Sequence, residues 1–228
     1  MATTSVLNVE GLLKHNLADL LRTEIMNGVL RPKERIVEGK WARKFSVAQG
    51  SIREAINILA LEGFVTKVSG RSARVVHFSE QDVLQLYQIR GAIEGLAARL
   101  VASAHSDVSA LQIAVNGMRE ASAAGLREEL LDCDCQFHLR LCEASGNPFV
   151  LEQGRRILLP FFAFVRIRVI ASRQETSVWS RDLEAHQRII DLISEGEGEI
   201  AEQYVKRIMN RFARTGYEDW EKRGSKGQ

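Results

Sequence analysis

Gln49, Ser51 and Arg53 fall in the stretch Ala48-Gln49-Gly50-Ser51-Ile52-Arg53-Glu54-Ala55, and each side chain can read nucleic acid. Arginine offers a planar fork to guanine or phosphate, glutamine bonds adenine through two contacts, and serine fits phosphate or a base edge. At the N-terminal end of a recognition helix they would face base edges in the major groove. Lys40, Arg43 and Lys44 upstream and Arg71 and Arg74 downstream would surround that face with positive charge. A solvated polar helix face is the alternative. A second pair, Asp134 and His138, is spaced to share one helix face one turn apart. A carboxylate with an imidazole suits a zinc-like or nickel-like divalent ion. Cys142, four residues after His138, is either a further ligand or a buried thiol packing as a small apolar group. With Cys133 and Cys135 it makes no CxxC pair, and reduced thiols are expected.

Those groups belong to two parts of the chain with different charge. The 228 residues sum to +2, which by itself argues against a nucleic-acid partner. Residues 1–78 carry +5, however, and residues 79–228 carry −3. Such a split points to nucleic-acid binding by the first part. A composition 45% hydrophobic and 26% charged excludes wholesale disorder and a fibrous chain. The longest apolar run, Ile157 to Val165, is too short for a membrane span. No basic segment precedes an apolar core near Met1, so no secretory signal is read and a cytoplasmic protein is expected.

The elements that must position these residues follow from periodicity. Leu13, Leu17, Leu20, Leu21 and Ile25 predict an amphipathic helix over 9–27, ended by Gly28 and Pro32. Short helices fit 37–45 and 50–62, the second stopped by Gly63. Phe64 to Val68 and Ala73 to His77 then read as two strands around a glycine-containing turn. Three helices plus a β-hairpin outline a winged helix-turn-helix over 8–78. From Ser79 the chain reads as helices alone, an antiparallel all-α bundle over 79–221, with 222–228 as a disordered tail. Ser79 and Asp82 suggest a capping box, Asn147-Pro148 a helix start, and Pro160 a kink. The fold class expected is mainly α.

Leu20 to Val75 resembles the DNA-binding domain of the GntR family. The matching residues are Ile25-x-x-Gly28-x-Leu30-x-Pro32, Glu38-x-x-Trp41-Ala42-x-x-Phe45-x-Val47 and Ile52-Arg53-Glu54-Ala55-Ile56-x-x-Leu59-x-x-Glu62-Gly63-Phe64-Val65, with Gly70-Arg71 at the wing tip. The resemblance implies that Gln49, Gly50, Ser51 and Arg53 contact operator DNA and that Ser69, Gly70 and Arg71 insert as the wing. Relatives often carry arginine where Gln49 stands, proline or threonine at Ser51, and a basic residue at Gly39. Trp41 replaces a usual leucine and should be core.

The helical half is similar to the FCD sensor domain of the FadR subfamily through Tyr87-x-x-Arg90-x-x-Ile93-Glu94-x-x-Ala97, Asp134-x-x-Phe137-His138-x-x-Leu141, Gly146-Asn147-Pro148 and Glu184-x-His186-x-x-Ile189-Ile190. The resemblance implies a homodimeric regulator, a small carboxylate effector, and a divalent metal to which His186 brings a third ligand beside Asp134 and His138. Where many relatives have a further histidine on the last helix, this chain has Ile208, which cannot ligate. A metal-free hydrogen-bonded cluster of the same three residues is the alternative.

Arg90 either pairs an effector carboxylate or makes a surface salt bridge to Glu94 at i+4. The leading reading is a non-enzymatic repressor of double-stranded operator DNA, with no organic cofactor. Two others stand beside it: a metal-free sensor of an acyl-CoA, and a hydrolase using Asp134, His138 and His186 with Glu143 or Glu184 as base.

Overall fold

The computed structural model describes residues 3–68, 72–172 and 180–224. Helix α1 (Thr3–Met26), strand β1 (Arg35–Ile36), α2 (Glu38–Phe45), α3 (Gln49–Leu61), β2 (Val65–Val68) and β3 (Ser72–Val75) come first. The helices α4 (Glu80–Ser103), α5 (Ser109–Ala124), α6 (Arg127–Ala144), α7 (Pro148–Ser172), α8 (Ser180–Ser194) and α9 (Gly198–Gly224) follow. The architecture is mainly helical with one small antiparallel sheet, as the sequence predicts. Two compact units divide the chain, Met1–His77 with Leu159–Arg173, and Phe78–Leu158 with Gln174–Gln228. The sequence reading keeps 79–221 together, whereas here the second half of α7 groups with the first unit.

In the first unit α1 buries Leu17, Ala18, Leu21 and Ile25, and α3 buries Ile52, Ala55, Ile56 and Leu59. At 3.6 residues per turn those α1 residues span an arc of about 100°. Leu13 and Leu20 lie outside it and are 37% and 48% exposed, so the apolar stripe read from sequence is narrower in the structure. Trp41 is buried in the core, as expected. The sheet has order β1-β3-β2, with Arg35 opposite Arg74 and Val65 opposite Val75. Strand β1 went unread because two residues are too few to display alternation. Gly63 follows α3 at φ 83°, and a Cβ there would stand 2.3 Å from Pro160 N and 2.5 Å from Leu159 C. Backbone meets backbone at that point, which is why this piece of α7 belongs with the first unit.

In the second unit the Ser79–Asp82 capping box starts α4. Gly91 and Gly95 let α9 approach closely, since a Cβ on Gly95 would meet Glu202 at 3.2 Å. Asn147 accepts from the amides of Phe149 and Val150 and starts α7, which runs as helix through Pro160. The thiols of Cys133 and Cys142 pack where a Cβ on Gly117 or Gly154 would stand, at 2.7 and 2.8 Å. Burial pushes Cys142 and Cys135 up to about 12, which suits packing rather than ligation. Helix α9 reaches Gly224, so Lys222, Arg223 and Gly224 are helical rather than part of a disordered tail. The expected α8 start at Ser177 and the rest of that tail lie outside the described residues. Among the described residues no helix is long and apolar enough to cross a membrane.

Candidate DNA-reading face and metal centre

Helix α3 carries Gln49, Gly50 and Arg53 exposed and Ser51 half-buried on its first turns. Ala48 precedes it and supplies no side-chain cap, while the Ser51 amide donates back to the Ala48 carbonyl at 3.1 Å. Lys40, Arg43 and Lys44 on α2 are exposed, as is Arg74 on β3. Lys44 pairs with Glu24 at 2.7 Å and sits 4.5 Å from the Trp41 ring centroid, and Arg74 Nη1 donates to the Lys33 carbonyl at 2.9 Å. Arg53 is engaged with Glu38, a partner fifteen residues away that the sequence reading did not single out. Ser69, Gly70 and Arg71, the expected wing tip, lie outside the described residues.

Asp134, His138 and His186 converge in the second unit from α6 and α8. Asp134 Oδ1 lies 3.3 Å from His138 Nε2 and 3.1 Å from His186 Nε2, and the two Nε2 atoms are 3.3 Å apart. Bonds of about 2.0 Å to a tetrahedral ion put neighbouring ligand atoms about 3.3 Å apart, so this triangle has the size of one face of such a site. Asp134 Oδ1 is buried and, among the described residues, accepts no hydrogen bond. Phe137, fully buried, sets its ring edge-on to both imidazoles, with centroids 5.4 Å from His138 and 4.6 Å from His186. Ile208, where relatives would add a ligand, is buried on α9.

Behind the triangle stands a charged chain. Glu94 Oε2 makes a short ion pair with His138 Nδ1, and Glu94 Oε1 lies 2.7 Å from Arg90 Nε. Holding Nδ1 on a carboxylate turns the Nε2 lone pair of His138 toward the ligand face. Arg90 pairs with Glu94 at i+4, and the pair is buried rather than at the surface. The sequence offers Glu94 only as the i+4 partner of Arg90; its contact with His138 on α6 is tertiary and has no local signal.

Burial would raise the Glu94 carboxyl, yet Arg90 and His138 hold it down to about 2. Burial would likewise raise Asp134, but the two imidazoles beside it keep it well below the usual carboxylate range. His138 is raised: burial acts to lower it and Glu94 and Asp134 more than offset that. Two carboxylates against one guanidinium leave one negative charge to neutralise, which either an imidazolium or a bound cation can do. Arg90 and Glu94, with Ile93, Gly154, Ile157 and Leu158, also line a small recess.

Residues 85–211 match the FCD domain, and residues 13–75 match the bacterial regulatory proteins of the gntR family. The chain therefore belongs to the gntR-type regulators that carry an FCD domain. It is a DNA-binding transcriptional regulator and not an enzyme, which removes the hydrolase reading of Asp134, His138 and His186. Among its relatives, the "Uncharacterized HTH-type transcriptional regulator YdhC" of Bacillus subtilis is 28% identical over 81% of this chain and 82% of its own. The "Probable D-xylose utilization operon transcriptional repressor" of Paenarthrobacter nicotinovorans is 25% identical over 81% of this chain and 80% of its own. The fold is similar to that of E. coli McbR/YncC, with a TM-score of 0.70 at 16% identity, covering 91% of this chain and 98% of that one.

Proposed function

We propose that the chain is an effector-responsive repressor of the FadR subfamily, binding a palindromic operator as a cytoplasmic homodimer. A relative of similar length carries a repressor name. Gln49, Gly50, Ser51 and Arg53 read the major groove, Lys40 and Arg43 steer toward phosphate, and Ser69, Gly70 and Arg71 form the wing. The observation that carries the sensor reading is the triangle of Asp134 Oδ1, His138 Nε2 and His186 Nε2 with Glu94 behind it. Its oxygen and two nitrogens suit zinc or nickel, and such an ion would supply a positive anchor for a small carboxylate effector. Arg90 and Glu94 border both the cluster and the recess, so they shape the effector site from one side. Effector binding shifts operator affinity by no more than its differential affinity for the two arrangements of the protein.

A thermal-shift screen of small carboxylates with and without zinc or nickel tests this, since a ligand of the native state raises apparent stability. The expected result is a rise that requires the ion. An equal rise in its absence would leave the carboxylate reading and remove the metal, and a response to acyl-CoA alone would favour the metal-free sensor.

A further inference from the structure

Glu38 is the first residue of α2, and its carboxylate grips Arg53 on α3. Arg53 Nε lies 3.1 Å from Glu38 Oε1 and 3.2 Å from Oε2, and Nη2 lies 2.8 Å from Oε2. The Arg53 side chain is 61% exposed and that of Glu38 31%. An exposed pair of this kind adds little to folding, so its geometry calls for another explanation. The next residue offers one. A Cβ on Gly39 would stand 2.7 Å from Gln49 Nε2, so the glutamine amide lies over Gly39 and would have to shift if a side chain stood there. Adjacent residues in the first turn of α2 thus touch the two α3 side chains best suited to bidentate base contacts.

We propose that Glu38 and Gly39 form a specificity-determining cradle: Glu38 aims Arg53 at a guanine, and Gly39 seats Gln49 for an adenine. The proposal rests on the assignment of α3 as the reading helix. The carboxylate takes the Nε–Nη2 edge of the guanidinium and leaves the Nη1–Nη2 edge for another partner, a fork that matches guanine O6 and N7. Without Glu38 the long side chain turns freely and forks to phosphate as readily as to a base. The carboxylate also repels phosphate. Glu38 therefore lowers affinity for DNA of any sequence while raising discrimination between sequences, and a purely structural residue would not move the two in opposite directions.

The experiment uses the full chain, a duplex selected by the wild-type protein from a randomised pool, and a scrambled duplex. In Glu38→Ala the affinity for the scrambled duplex rises, log K against log salt steepens by about one, and the selected-to-scrambled ratio falls about tenfold. Glu38→Gln shifts both quantities the same way, by less. In an Arg53→Ala background Glu38→Ala lowers the ratio no further. Gly39→Ala blurs the preference at the base pair that Gln49→Ala also blurs. An unchanged ratio in folded Glu38→Ala and Glu38→Gln overturns the proposal, as does an equal gain on both duplexes, which would make Glu38 a simple repulsive charge. If Arg53→Ala itself keeps the ratio, the assignment of α3 fails instead.

Discussion

Arg90 Nε stands 2.7 Å from Glu94 Oε1 in the protein interior, while the other oxygen of that carboxylate faces His138 Nδ1. One carboxylate thereby ties the guanidinium on α4 to a candidate ligand on α6. The cation that the sequence offers as an effector handle is also what allows Glu94 to remain charged and hold the imidazole in place.

Arg90→Met is expected to cost about 3–5 kcal/mol, because removing one member of a buried pair leaves its partner uncompensated. Urea unfolding measures this. A loss under about 1 kcal/mol would show that His138 alone satisfies Glu94 or that water reaches the site.

Glu94→Gln tests the same chain from its centre. The three candidate ligands remain, but the amide no longer supplies the negative charge that orients and enriches the His138 ring. Partners of this kind are worth about 10–100-fold in metal affinity, so zinc or nickel titration should show weakening within that range. His138→Ala and His186→Ala should instead abolish stoichiometric binding. Wild-type protein that holds no ion by elemental analysis after incubation with either metal would remove the centre altogether.

Arg53→Ala and Arg43→Ala should differ in kind. Under the proposed reading Arg53 contacts a base edge, so its loss removes sequence discrimination while the fold persists. Arg43 faces outward from α2 as a diffuse positive charge, so Arg43→Ala weakens selected and scrambled duplexes alike and reduces the salt slope by about one. Mobility shifts at several salt concentrations separate the two, and equal behaviour would mean that Arg53 touches phosphate only.

The residues of the candidate metal centre were legible as a set because Asp134 and His138 share a helix face and His186 falls in a motif that resembles a known sensor domain. Their supports were not. Glu94 reaches His138 across forty-four positions, and Glu38 reaches Arg53 across fifteen. Local periodicity holds no record of contacts between elements. The helices themselves were readable because their capping residues are local: Ser79 with Asp82, and Asn147 before Pro148. Strand β1 has no local signal because its pairing with β3 is long-range, and the apolar residues of α1 suggest a broader face than the one buried because sequence counts apolar residues without showing what packs against them.

Gly63 shows the same limit at one position and yields the last prediction. The sequence identifies it as a helix stop, a role that φ 83° confirms. Gly28 has a comparable φ of 74° with open space where a Cβ would go. Gly28→Ala should therefore cost only the left-handed strain, about 1–2 kcal/mol. At Gly63 the same strain adds to contacts of 2.3 and 2.5 Å with the backbone of Pro160 and Leu159, which cannot rotate aside as a side chain could. Gly63→Ala should lose at least twice as much stability in denaturant unfolding as Gly28→Ala. Equal losses would mean that the stretch of α7 around Pro160 yields easily, and that its approach to the end of α3 is loose rather than a fixed packing contact.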